Sequence, residues 1–199
     1  MQEINTWPGW ECVRELGSGS FGKVYEIQKE EYGRTFRSAL KVITVPQNKS
    51  DIQDVYSEGM DQQSAAEYFE GIVQNITEEF VLMADLKGHS NIVSYEDHMV
   101  IPHEGEIGWD ILIRMELLTP LMEWIKKNQM SEANLIKLGC DICHALELCR
   151  KRNIIHRDIK PDNIFVNSNG DFKLGDFGIA RTMERTLSNL SKKGTYNYM

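Results

Sequence analysis

The chain has 199 residues, 41% of them hydrophobic and 26% charged, with a formal net charge of -8. That length allows one sizeable domain, or two small lobes sharing a cleft. No apolar run approaches the roughly 20 residues needed to span a bilayer, and the start M-Q-E-I-N-T-W-P-G-W lacks the basic and apolar stretches of a secretion signal. The acidic balance argues against general binding of nucleic acid or an anionic membrane, which takes a basic footprint. A polyphosphate held by such a chain would need positive charge gathered locally, from lysines, metal ions and backbone N–H groups.

Of the four cysteines, Cys140 and Cys143 have C-x-x-C spacing, with Cys149 nearby. They lie in a long helical pattern without a second C-x-x-C or a well-spaced histidine pair, so the spacing favours buried structural thiols over a metal site. A reducing, cytoplasmic setting is the matching expectation.

In chain order, Trp10 to Leu16 alternates as a strand and runs into G-S-G-S-F-G, Gly17 to Gly22. The letters G-x-G-x-x-G also occur in dinucleotide-binding turns, which open a helix. Here K-V-Y-E-I follows, β-branched and aromatic, which predicts a second strand. Strand, glycine loop and strand make a flap whose backbone N–H groups can close over phosphates. After a polar turn, F-R-S-A-L-K-V-I-T-V predicts another strand, with Ala39 and Lys41 on one face. Residues from about 47 are polar (N-K-S-D-I-Q-D). The pattern then turns helical, with Ala65, Phe69, Ile72 or Val73, Ile76, Phe80 and Met83 at three- and four-residue spacing. Ile92 to Ile101 and Trp109 to Met115 predict a hairpin. Leu121 to Asn128 predicts a short helix. Ser131 caps a longer one to about Lys151, with Leu135, Leu138, Ile142, Ala145, Leu146 and Cys149 on its apolar side.

That helix delivers the chain to I-I-H-R-D-I-K-P-D-N-I-F-V, a turn at Asn167 to Gly170, then F-K-L-G-D-F-G. Two short strands, Ile164–Val166 and Phe172–Leu174, bring Asn163 and Asp176 together at the open end of a hairpin. An amide oxygen and a hard carboxylate suit Mg²⁺ when phosphate and water complete its shell. Asp158, on the loop entering the hairpin, can meet a substrate hydroxyl. Lys160 can neutralise charge on a transferring phosphoryl group.

H-R-D-x-K-x-x-N followed by D-F-G resembles the catalytic and metal-binding loops of the protein kinases, and Lys160 suits the serine/threonine branch. The resemblance runs from about Trp10 to Met199 and implies an α+β, bilobal, kinase-like fold. Residues 1–9 are an extension, 10–118 a complete β-rich N-lobe and hinge with an insertion at about 47–74, and 119–199 a partial C-lobe. It implies ATP and Mg²⁺ as cofactors and protein Ser/Thr hydroxyls as acceptors. Asp158, Lys160 and Lys41 would be catalytic, with Asn163 and Asp176 on the metal. Leu16, Gly17, Ser18, Gly19, Ser20, Phe21 and Gly22 would cover the nucleotide, Phe21 shielding phosphates at the tip. Val24, Ala39 and Phe165 would contact it too, with Met115 behind the adenine and backbone groups of Glu116 and Leu118 at its edge. Counting back from L-K-G-H-S-N-I-V places the glutamate partner of Lys41 at Glu79, with Glu78 its rival.

The separation of Lys41 from Glu79 is roughly double the family's usual one. A prolonged C-helix or an added helix before it accounts for the length, either as a tolerated insertion or as the dock of a regulatory partner that moves Glu79. Met83, Tyr95, His156 and Phe177 would stack into a column joining the lobes. Arg157 implies a loop ordered by phosphate at Thr186, Ser188 or Ser191, and Thr195 matches a threonine packed near the catalytic loop. Arg114, before the bulky Met115, has no evident role. The chain stops at Met199, ahead of the family's A-P-E motif. That implies apolar surface left bare near Ile142, Ile154 and Phe165, and weak or no turnover by this piece. The main alternative is a nucleotide-binding scaffold with little chemistry. A small-molecule kinase is disfavoured by Lys160 and by G-T-Y-N-Y-M, which resembles a peptide-substrate loop.

Overall fold

A computed structural model describes residues 6–19, 22–84 and 86–177. Three strands come first: β1 (Glu11–Gly19), β2 (Gly22–Glu31) and β3 (Arg34–Val45). Two helices follow, α1 (Lys49–Ser57) and α2 (Gln62–Ala84), then β4 (Tyr95–Pro102) and β5 (Trp109–Met115). The five strands form one antiparallel sheet in the order β1-β2-β3-β5-β4. The segment after them holds a short β6 (Thr119–Pro120), α3 (Leu121–Lys127), α4 (Glu132–Lys151), a 3₁₀ turn at Pro161–Asn163, and β7 (Ile164–Val166) paired with β8 (Phe172–Leu174).

The period of two decides what each face of the large sheet does. Ile43 and Val45 of β3 and Ile111 and Ile113 of β5 turn to one side, where they are buried with Phe69, Ile76 and Phe80 of α2. Every residue of the predicted apolar stripe of α2, from Ala65 to Met83, is buried. The insertion therefore supplies core. Both expected variants occur together, since α2 is long and α1 is added before it. The polar stretch at its start is a capping box: Asn48 accepts from the Asp51 backbone N–H, and Asp51 accepts from that of Asn48. Val55 then anchors α1 in the same core.

The opposite face gives Arg114 its role. Leu40 and Leu112 are buried there with Tyr25 and Ile27, under Trp7 and Trp10. The Arg114 guanidinium lies 5.4 Å from the Trp7 ring and 5.3 Å from the Trp10 ring. Lys29 lies 5.6 Å from Trp10 and 5.7 Å from Phe36. Aromatic and cation alternate along a ladder that fastens residues 7–10 to the back of the sheet.

Two expectations fail at α4 and its flank. Leu135 is exposed, because the buried stripe runs through Asp141, Ala145 and Cys149 instead. Cys12, Cys140 and Cys143 are exposed thiols, and Cys149 alone of the four is buried. Ile142, Ile154 and Phe165 are half-buried, while the barest large apolar side chains beside the catalytic loop are Ile155, 73% exposed, and Ile159, 52% exposed.

Because Phe69 is fully buried among sheet and helix, Phe69→Ala is expected to lower stability by about 3–5 kcal/mol. Urea unfolding checks this. A loss under about 1 kcal/mol would mean that this part of α2 is not core.

Candidate active site

Helix α4 ends in a turn in which Cys149 O accepts from Ile154 N at 2.8 Å, releasing the chain into the loop 154–160. The loop is tied to the β7–β8 hairpin by two bonds on one residue. Gly175 N donates to Asn163 O at 2.9 Å, and His156 Nε2 donates to Gly175 O at 2.9 Å. These bonds place the two ends of the hairpin against the loop, as the predicted turn at 167–170 requires.

The side chains then converge. Asn163 Nδ2 donates to Asp158 O at 2.8 Å and to Asp158 Oδ2 at 3.0 Å. Lys160 Nζ lies 2.8 Å from the same Oδ2, and this bond raises the Lys160 pKa, so the ammonium stays charged. Asp176 adopts a left-handed backbone, φ 58°, and its Oδ1 accepts from Lys41 Nζ on β3. Lys41 reaches this point from the face it shares with Ala39, and its side chain is only 11% exposed. Five predicted residues from three separate stretches thus share one cleft.

The donor set suits a hard cation. Both amide N–H groups of Asn163 are committed to Asp158, which leaves its oxygen as the group to ligate. Asp176 keeps a second carboxylate oxygen beyond the one bonded to Lys41. Among the described residues, no cluster of three or more His, Cys, Asp or Glu forms a separate metal site. Asn163 and Asp176 would therefore hold Mg²⁺ with substrate phosphates, as hard oxygen ligands do for this ion.

The neighbouring slot is also built. Ala39 pairs with Met115, and Val24 with Lys41. At the base of the flap, Gly22 (φ 138°) lies so close to β3 that a Cβ would stand 2.1 Å from Val42 O, so no other residue fits. Gly175 is confined by side chains: a Cβ would meet Val93 at 2.6 Å and the Phe165 ring at 3.1 Å. Leu16 to Gly19 lie at the end of β1, the place expected for the flap. The Glu116 N–H is taken by Ser94 O at 3.0 Å, so only the Glu116 carbonyl can serve an adenine edge. The Glu116 carboxylate is engaged as well, by Ser94 N and by Lys173 Nζ at 2.6 Å. Leu118 lies between β5 and β6.

Met83, Tyr95, His156 and Phe177 are all buried, with the His156 and Phe177 rings 4.5 Å apart. Glu79 lies on α2, but its side chain is outside those described; Glu78, its rival, is exposed. Ser20, Phe21, Thr186, Ser188, Ser191 and Thr195 also lie outside the described residues. Two contributors have no place among the residues expected from sequence. Lys173 looks like an ordinary strand lysine and is 8% exposed, as is Asp141. Asp141 does carry a signal: it is a charged residue falling on the apolar stripe of α4.

Burial lowers the His156 pKa from its ordinary 6.5, outweighing the bond to Gly175 O and the charges of Asp158 and Asp176. The backbone agrees, since Asp158 N donates to His156 Nδ1 at 3.3 Å, which needs that nitrogen unprotonated. The unfolded chain takes up this proton near pH 6.5 and the folded chain only lower. The stability is therefore fully present above that pH and is lost as pH falls through the folded value. Denaturant unfolding of the wild type should weaken more steeply on going from pH 7 to about pH 5 than that of His156→Phe. Identical slopes would show that burial does not shift the protonation of His156 on folding.

Comparison with known proteins bears on this site directly. Residues 10–199 match the family model for the protein kinase domain. The serine/threonine-protein kinase Nek3 of Mus musculus is 30% identical over 182 residues, covering 88% of this chain and 29% of that protein. The interferon-induced, double-stranded RNA-activated protein kinase of Rattus norvegicus is 28% identical over 209 residues, 96% of this chain and 35% of the relative. A probable serine/threonine-protein kinase of Dictyostelium discoideum, nek2, is 30% identical over 200 residues, 96% of this chain and 41% of its own length. The chain thus spans well under half of each of these relatives. With its five-stranded sheet, its H-R-D loop and the β7–β8 hairpin that leads to Asp176 in place, the chain belongs to the protein kinase family, among relatives of the serine/threonine kind.

Proposed function

We propose that the protein carrying this chain transfers the γ-phosphate of ATP to serine or threonine hydroxyls of protein substrates. The observation that carries the reading is the convergence of Asp158, Lys160, Asn163 and Asp176 with Lys41 from the other lobe. Phosphoryl transfer depends chiefly on positioning and on charge neutralisation. Asp158 is held from two sides, by the Asn163 amide and the Lys160 ammonium, so its carboxylate is aimed to accept or orient the acceptor hydroxyl proton. Lys160, fixed beside it, faces the charge that develops on the phosphoryl group. Lys41 holds phosphate oxygens from above. Mg²⁺, when bound, would neutralise charge on the β- and γ-phosphates. Lys160 and the serine/threonine kinase names of the relatives support Ser/Thr as acceptor.

The insertion supports a role as the dock of a regulatory partner, because α1 packs on the helix that bears Glu79. The exposed thiols of Cys12, Cys140 and Cys143 suit a cytoplasmic setting, where thiols stay reduced.

In the full-length protein, Asp158→Asn is expected to leave ATP binding near normal and to lower phosphate transfer by about 10²–10⁴-fold. Transfer of radiolabelled phosphate to generic protein acceptors, with Asp176→Ala as the control that also weakens Mg²⁺-dependent binding, measures both. Wild-type protein that binds Mg²⁺ and ATP yet transfers nothing would make it a nucleotide-binding scaffold. Unchanged turnover in Asp158→Asn would remove the proposed role of Asp158.

A further inference from the structure

Strand β8 leads straight to Asp176 and stands at the edge of its sheet, paired with β7 on one side and joined to Ile92 by a parallel bridge on the other. Its other side presents the N–H and C=O groups of Phe172 and Leu174, all in a buried strand. Buried backbone groups must find partners, and here all four do. Leu174 N donates to Asn91 O at 2.9 Å, and Leu174 O accepts from Val93 N at 2.9 Å. Phe172 O accepts from Asn91 Nδ2 at 3.1 Å. The fourth group, Phe172 N, donates to Oδ2 of Asp141 at 2.9 Å. The first three partners come from the loop between α2 and β4. Asp141 alone comes from α4, the helix whose end carries the loop with Asp158.

Asp141 is itself secured. Lys137, one helical turn earlier, donates to Asp141 Oδ2 at 2.6 Å and to Asp171 Oδ1 at 3.0 Å, and its ammonium lies 5.8 Å from the Phe172 ring. Asn167 Nδ2 donates to Asp171 Oδ2 at 3.1 Å, so the bond network extends into the β7–β8 turn. A carboxylate neutralised by lysine and bonded to a backbone N–H is a strong acceptor at fixed position. Its partners, Lys137 and the Phe172 N–H, are not among the residues of the cleft.

From this geometry we infer that Asp141 is a positioning residue for metal binding: it fixes β8 against α4, and so fixes Asp176 relative to Asp158. The inference rests on the proposed function for its metal and substrate, but not for its structural half. Outer partners of metal ligands commonly change metal affinity or activity by about 10–100-fold when removed. Asp141→Leu deletes the acceptor at similar bulk, whereas Asp141→Asn keeps an oxygen for Phe172 N and loses only the charge.

The test uses the full-length protein, with Mg²⁺ and ATP as the probes. Asp141→Leu should raise the Mg²⁺ concentration for half-maximal transfer about 10-fold and leave the KM for the protein acceptor unchanged. Asp141→Asn should restore the Mg²⁺ requirement to within about threefold of wild type. A folded leucine variant with the wild-type Mg²⁺ requirement, or an asparagine variant as impaired as the leucine one, would overturn the inference. Native-state hydrogen exchange decides the structural half without any variant. The Phe172 amide of the wild type should be protected as well as that of Leu174; exchange as fast as the 167–170 turn would overturn it. Absence of phosphate transfer by the wild type would instead refute the proposed function, and the exchange result would still decide whether Asp141 holds β8.

Discussion

The contact of Lys41 with Asp176 is the interaction on which the rest of the structure turns. One partner stands on the third strand of the sheet, the other at the end of a hairpin 135 residues later, and everything between them serves to aim both into one cleft. In a chain with net charge -8, a cation placed at that point with only 11% of its side chain exposed is a committed one. Its burial excludes much of the water that would screen it, which strengthens its pull on carboxylate or phosphate alike. Lys160 supplies the second local positive charge, held by Asp158. Each of these lysines is paired with a carboxylate of the cleft, so strands and loops fix the positive charge where a phosphate would need it in an otherwise acidic chain.

That aiming depends on backbone satisfaction as much as on charge. Gly175 is bonded through both its N–H and its carbonyl, to Asn163 and to His156, and any side chain there would have to displace Val93. Asp176 is thus held in a left-handed conformation by its neighbour and not by its own preferences. Neutral His156 belongs to the same device. Its two ring nitrogens take opposite roles, one donating to Gly175 O and the other accepting from Asp158 N. A protonated ring would keep the first bond and lose the second, so the neutral ring is what fixes the Asp158 backbone within its own loop.

Much of this is legible in the sequence, for a physical reason. The period-two runs of β2, β3 and β5, the stripe of α2 and the Ser131 cap are local signals, and each is where expected. The catalytic loop and the hairpin are also local, since 19 positions hold Asp158 through Asp176. What stays hidden is what only a tertiary neighbour decides. Arg114 looks misplaced in the sequence because the strand alone does not tell which face carries it, nor that Trp7 and Trp10 wait there. Periodicity puts Leu135 on an apolar stripe that in fact passes through Asp141, a carboxylate that no hydrophobic pattern recommends. The exposure of Cys140 and Cys143 follows from the same rotation of α4. The commitment of Glu116 to Ser94 and Lys173 joins three segments and has no sequence signature.

The insertion shows how one local feature changes a functional picture. As a polar linker, residues 47–54 would leave α2 free to shift its register. As a capped helix with Val55 buried in the common core, they tie the start of α2 to the sheet. Helix α2 in turn carries Met83 near its end, and the burial of Met83 in one core with Ile92 and Phe177 joins that helix to the loop and strand of the site. Helix α1, helix α2 and the strand that leads to Asp176 thus bury their apolar side chains in a single core. The extra length in this chain is thus part of the core under the sheet and not an ornament on its surface.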